Sequence, residues 1–169
     1  KLTRNILTMT IIQDQILSGE RPLYGSRDLR LERVTIGEGE SALKECRHIE
    51  AHDCEIQGMY VFWECEDVEC RNCRFASSDR APLWYGKNIR MHDCIMDAPK
   101  VFRELDGLTL ENIQISDGAE AFWYCKNGHL SDLTMQRAEY AFMQSSKLQI
   151  NNLTLQGKYT FQYARNIEI

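Results

Sequence analysis

Proline is scarce in this 169-residue chain (3 residues), glycine is modest (10), and no linker, charge run or low-complexity stretch divides it. It therefore reads as one domain, long enough to enclose a continuous core. No run approaches the roughly 18 consecutive apolar residues of a membrane span. The opening KLTRNILTMTIIQDQ also lacks an apolar stretch followed by a small-residue cleavage site. Neither a membrane partner nor a secretion signal is expected, although the chain opens on Lys1 rather than methionine. Basic excess is missing as well: 20 Lys and Arg stand against 25 Asp and Glu, a formal charge of −5. Without positive excess there is little to displace counterions from a phosphate backbone, so no nucleic-acid partner is expected. HExxH, GxSxG, Walker and dinucleotide-binding motifs are absent too, which removes the commonest hydrolase, NTPase and oxidoreductase readings and leaves no cofactor expected.

What is present is a repeat. An apolar anchor recurs at Leu23, Leu43, Phe62, Leu83, Phe102, Phe122, Phe142 and Phe161, with spacings of 19 to 21 residues. Four more columns follow each anchor, beginning in the first repeat at Leu29, Leu31, Val34 and Ile36. Of the 38 positions in these five columns 37 are apolar, Gly128 being the exception, against 43% in the whole chain. Within each repeat the apolar residues alternate with polar ones, the period of a strand and not of a helix. Asp53, Asn72, Asp93, Asn112, Asp132 and Asn152 sit between the two inner strands, residue types that tolerate left-handed backbone and bond their own turns. A unit of about 20 residues made of strands and corners cannot bury its apolar side alone, so it stacks on its neighbours.

The expected fold is therefore all-β: a single-stranded, right-handed parallel β-helix of about eight coils. A leucine-rich repeat would place Asn or Cys, then a helical or extended return, three residues after its last leucine; here Val34, Cys94 and Ile113 begin a second inward strand. A left-handed hexapeptide helix would show a strict six-residue period, which is absent. Residues 1–169 form one domain in this reading, with 1–20 as an amino-terminal cap, built on Ile6, Leu7, Met9, Ile11, Ile12 and Ile16, and 21–169 as repeats.

The segments GERPLYGSRDL (19–29), GESALKEC (39–46), APLWYGKNI (81–89), DAPKVFREL (97–105), EAFWYCKN (120–127) and GKYTFQYARNIEI (157–169) resemble a bacterial domain-of-unknown-function family similar to the pectate-lyase-like right-handed β-helices. The resemblance implies the fold and transfers no catalytic residues. It also implies further coils beyond residue 169, and an open last coil that pairs with a second copy of the chain is the alternative expectation.

Seven cysteines invite a disulfide or zinc reading, above all in CEDVECRNC (65–73). The repeat register moves them inside. Cys54, Cys73 and Cys94 share an apolar column, Cys46, Cys65 and Cys125 share a column with Ser26, Gly86, Ser145 and Ala164, and Cys70 falls between Ala51 and Met91. Reduced, buried thiols are expected, with no metal and a cytoplasmic location.

One face is chemically richer. The column one residue after the anchor includes Trp63, Trp84, Arg103 and Trp123; the next includes Glu45, Glu64, Tyr85, Glu104 and Tyr124. Flat rings suit the apolar faces of sugars and charged groups suit their hydroxyls or uronates, which points to a glycan or partner bound through Trp63, Trp84, Tyr85, Arg103, Trp123 and Tyr124. Arg80, Lys100 and Arg103 are candidates for neutralising a uronate. In the enzymatic alternative, a polysaccharide hydrolase or lyase, Glu45, Glu64 and Glu104 supply the catalytic carboxylates: glutamates on adjacent coils lie about 5 Å apart and those two coils apart about 10 Å. A binding or scaffold role is the primary expectation.

Overall fold

A computed structural model describes residues 8–169. Every regular element among them is a strand: β1 (Thr10–Gln13), β2 (Ile16–Glu20), β3 (Arg27–Glu32), β4 (Thr35–Glu40), β5 (Arg47–His52), β6 (Glu55–Ile56), β7 (Glu66–Arg71), β8 (Arg74–Phe75), β9 (Lys87–Met96), β10 (Asp106–Ile115), β11 (Lys126–Met135), β12 (Ser146–Leu155) and β13 (Arg165–Glu168). All pairings are parallel. One ladder runs β1-β3-β5-β7-β9-β10-β11-β12-β13, and a second, β2-β4-β6-β8, joins it at β9. Stacked coils of this kind form a β-solenoid of about eight turns.

The register reproduces the sequence columns. Leu29 faces Ile49, which faces Val68, then Ile89, Leu108, Gly128, Leu148 and Ile167. Inward positions alternate with exposed ones along each strand, as in β10, where Leu108, Leu110, Ile113 and Ile115 are buried. Gly128 breaks the aliphatic column without leaving a hole, since a Cβ there would lie 2.9 Å from Leu148 Cδ2 and 3.2 Å from Leu108 Cβ. The neighbouring leucines have closed over it.

Residues 10–20, expected to act as a cap, continue the solenoid. Ile12 of β1 pairs with Leu31 and Leu17 of β2 pairs with Ile36, so this segment covers the first full coil by extending both ladders. Ile6 and Leu7 lie outside the described residues.

At the corner between the inner strands, Asp and Asn alternate for a reason the structure supplies. Asn72 donates its side-chain amide to Asp53, Asn112 to Asp93 and Asn152 to Asp132, at 2.6, 2.8 and 3.0 Å. Arg33 bonds Asp14 in the same column and holds that carboxyl below the usual carboxylate range. Donor and acceptor therefore stack in pairs along the solenoid.

All seven cysteines are buried and none is in a disulfide. Cys65 donates to the Leu43 carbonyl at 2.9 Å and Cys46 to the Leu23 carbonyl at 3.2 Å, each the anchor of the preceding coil, whereas Ser26 and Ser145 in the same column bond the anchor carbonyls of their own coils, Leu23 and Phe142. Burial pushes the Cys125 thiol up to about 12. The neighbouring thiols of Cys46 and Cys54, together with burial, raise those of Cys65 and Cys73. All seven are enclosed, and structural thiols out of a reagent's reach are inert. In the folded protein essentially none of the seven is expected to react with a disulfide reagent such as DTNB, and all seven should react after denaturation; rapid labelling of the native chain would contradict this burial.

Candidate functional site

The chemically rich columns lie on an arc between the two ladders, built from backbone of an uncommon kind. The residue two before the anchor, the anchor itself and the residue two after it all have positive φ, as in Tyr60, Phe62 and Glu64 (60°, 60° and 58°). Left-handed backbone costs a non-glycine residue on the order of 1 kcal/mol or more. Here it is offset by hydrogen bonds that point alternately to the two neighbouring coils. Tyr60 N donates to Arg80 of the following coil, Phe62 N to Ala42 of the preceding coil, and Glu64 N to Trp84 of the following coil. Alternation turns the chain sharply while leaving the side chains of the residue one after the anchor and the residue two after it on the outside.

These two columns have different fates. Trp63, Trp84 and Trp123 are half-buried, and each indole N–H donates to a backbone carbonyl of the following coil: Ala81 at 2.6 Å, Lys100 at 2.7 Å and Tyr140 at 2.7 Å. Trp63 and Trp84 stack with ring centroids 5.1 Å apart. The Arg103 guanidinium continues the stack, lying 4.2 Å from the Trp84 ring and 4.5 Å from the Trp123 ring. Its Nε is buried without a hydrogen-bond partner. Trp63, Trp84, Arg103 and Trp123, expected to form a recognition surface, thus make a supporting layer. Arg103 is committed to two indoles and Lys100 pairs with Glu120 at 3.4 Å.

The following column stands in solvent. Tyr85 and Tyr124 are 41% and 44% exposed, and Glu45, Glu64 and Glu104 are exposed alongside them. The Tyr24 hydroxyl donates to Glu45. Tyr85 stands between Glu64 and Glu104, which leaves those carboxylates two coils apart. Beside this column runs an open groove of about 470 Å³, bordered by Tyr85, Glu104 and Tyr124 on one side and Lys87, Asp106 and Lys126 on the other. Lys126 lies 3.9 Å from Asp106. The two lysines were not singled out from sequence; their signal is a fourth polar column, four residues after each anchor, that carries Arg27, Arg47, Glu66, Lys87, Asp106 and Lys126.

Among the described residues no cluster of His, Cys, Asp and Glu is arranged to hold a metal ion. His48 bonds Asp28 of the preceding coil at 2.7 Å. One buried polar group went unnoticed in sequence. Asp79 is 1% exposed, accepts a bond from the Arg80 amide through Oδ1 and leaves Oδ2 without a partner.

Fold and face together define a β-solenoid protein with an aromatic and charged outer column laid over a tryptophan–arginine layer. The chain belongs to the family described as "Protein of unknown function (DUF3737)", whose model matches residues 10–169. No curated protein and no solved structure matches it.

Proposed function

We propose that the protein is a non-catalytic binding module whose ligand is a glycan, held on the column of Tyr85, Glu104 and Tyr124 and in the adjoining groove. The observation that carries this reading is the pair of exposed tyrosines with rings at 90° and 86° to the tryptophans behind them. Their orientation is set by packing, so little side-chain entropy is lost when a sugar's apolar face meets the ring. Lys87, Lys126, Glu104 and Asp106 place charged donors and acceptors within reach of hydroxyl groups around such a ring. Turnover is less well served. Glycoside hydrolysis by two carboxylates benefits from a site that excludes water and distorts the substrate, whereas Glu45, Glu64 and Glu104 stand on an open surface.

The test is a glycan array combined with a reducing-sugar assay, comparing the wild type with a Tyr85→Ala/Tyr124→Ala double variant and with Glu64→Gln. Retention of a glycan class by the wild type, its loss in the double variant and no release of reducing ends are expected. Equal retention by the double variant, or no retained glycan at all, would remove the reading. Reducing ends released by the wild type and abolished in Glu64→Gln would replace it with a hydrolase.

A further inference from the structure

The outer column carries more information than exposure. From the fourth anchor onward it reads Tyr85, Glu104, Tyr124, Gln144, Tyr163, a tyrosine on every second coil with a polar residue between. Tyr163 is 80% exposed. Coils stacked through parallel strands rise about 4.8 Å each, so successive tyrosines are about 9.6 Å apart along the solenoid.

Ring orientation follows from the layer beneath. Trp63 and Trp84 belong to adjacent coils and stack with an interplanar angle of 8° and centroids 5.1 Å apart, close to one coil rise. Trp123 belongs to the same stack through Arg103. Tyr85 is at 89° to Trp63 and 90° to Trp84, and Tyr124 is at 86° to Trp123. Both tyrosines therefore stand across the planes of the indoles behind them, and a straight polymer running along the solenoid meets an exposed ring on every second coil.

Few glycans meet that geometry. In a β-1,4-linked pyranose chain each sugar is turned by about half a revolution from the last, so the chain stays extended and every second sugar presents the same face. The interval between those sugars is on the scale of two coil rises. α-1,4-linked and β-1,3-linked chains curl away from a straight row of platforms. The charge within the row narrows the class further: across the groove Asp106 lies beside Lys87 and Lys126, whereas in the row from Tyr85 to Tyr163 the one charged residue is Glu104, with no cation in that row. A polyuronate would place a carboxylate against it.

We infer that this column takes a neutral, extended β-1,4-linked glycan, with alternate sugars on Tyr85, Tyr124 and Tyr163 and the intervening ones hydrogen-bonded to Glu104 and Gln144. The inference rests on the glycan-binding reading above and specifies its ligand. A trisaccharide reaches two platforms and a pentasaccharide three.

Isothermal titration with cellotriose, cellopentaose and chitopentaose, against maltopentaose, laminaripentaose and polygalacturonate, tests it. A neutral β-1,4 pentamer is expected to bind about tenfold more tightly than its trimer, with maltopentaose, laminaripentaose and polygalacturonate at least tenfold weaker. Tyr163→Ala should erase the gain from trimer to pentamer and Tyr124→Ala should weaken trimer and pentamer alike, both with an unchanged melting temperature, and Gln149→Ala, on another face, should leave binding intact. Preference for polygalacturonate, maltopentaose or laminaripentaose, lost in Tyr124→Ala, would overturn the ligand class and leave the glycan reading standing. Absence of binding to every probe would overturn both. Pentamer binding unaffected by Tyr124→Ala would overturn the assignment to this column.

Discussion

Truncation of Phe122 to alanine is expected to lower stability by about 3–5 kcal/mol, read as a shift of the denaturant midpoint at constant slope. Phe122 is fully enclosed, and its ring stacks 4.8 Å from Phe102 and 4.6 Å from Phe142, which in turn stacks 4.6 Å from Phe161. Removing the second of four rings deprives both neighbours of a face and opens a cavity between two coils. In a solenoid each coil contacts only those beside it, so the loss also weakens the coupling that keeps the array cooperative. Phe122→Leu should cost far less, about 1 kcal/mol, because the same column holds Leu23, Leu43 and Leu83. Equal stability of the alanine variant and the wild type would mean that the ring stack contributes little to the fold.

Replacement of Asp79 is expected to act in the opposite direction and to depend on pH. Four residues before each anchor the chain carries Gly19, Gly39, Gly58, Asp79, Ala98, Gly118, Ala138 and Gly157, a column in which only Asp79 is larger than alanine. Backbones approach closely there; a Cβ on Gly39, whose φ is +148°, would fall 2.0 Å from the Gly19 carbonyl oxygen. The Asp79 carboxyl is enclosed in this column, and burial raises its pKa to about 9 in spite of the bond from the Arg80 amide. The folded state therefore keeps a proton that the unfolded state releases near pH 4. Stability is fully retained below about pH 4 and declines as pH rises towards about 9, by about 1.4 kcal/mol per pH unit at most. Asp79→Asn keeps the acceptor for Arg80 and removes the titration, so it should flatten the dependence and stabilise the protein at about pH 8 by up to about 4 kcal/mol relative to about pH 5. Asp79→Ala, which restores the column, should flatten it too. Chemical denaturation across this pH range decides the matter: parallel profiles for wild type and Asp79→Asn would show that the carboxyl ionises in the folded chain.

Much of the architecture was legible because a solenoid writes the same environment once per coil. Five apolar columns, the corner residues from Asp53 to Asn152 and the inward cysteines each recur at fixed offsets, so neighbours confirm one another. The small-residue column that contains Asp79 carries the same period, but glycine and alanine give a weak hydrophobic signal, and the misfit passed unseen. The left-handed arc was hidden for a different reason. Leu, Phe, Tyr and Glu disfavour positive φ when taken singly, and only the alternating hydrogen bonds to the two adjacent coils make it favourable at Tyr60, Phe62 and Glu64.

The candidate face divides along the same line. Sequence alone determined that aromatic and charged residues share two adjacent columns, since that follows from spacing. Which column is structural was decided by the tertiary fold. The indole N–H groups of Trp63, Trp84 and Trp123 satisfy carbonyls one coil away, and Arg103 closes the stack between two of them. A contact between residues 16 to 18 positions apart leaves no local trace in the chain. Against that half-buried layer Tyr85 and Tyr124 stand edge to face, and theirs is the more exposed of the two columns.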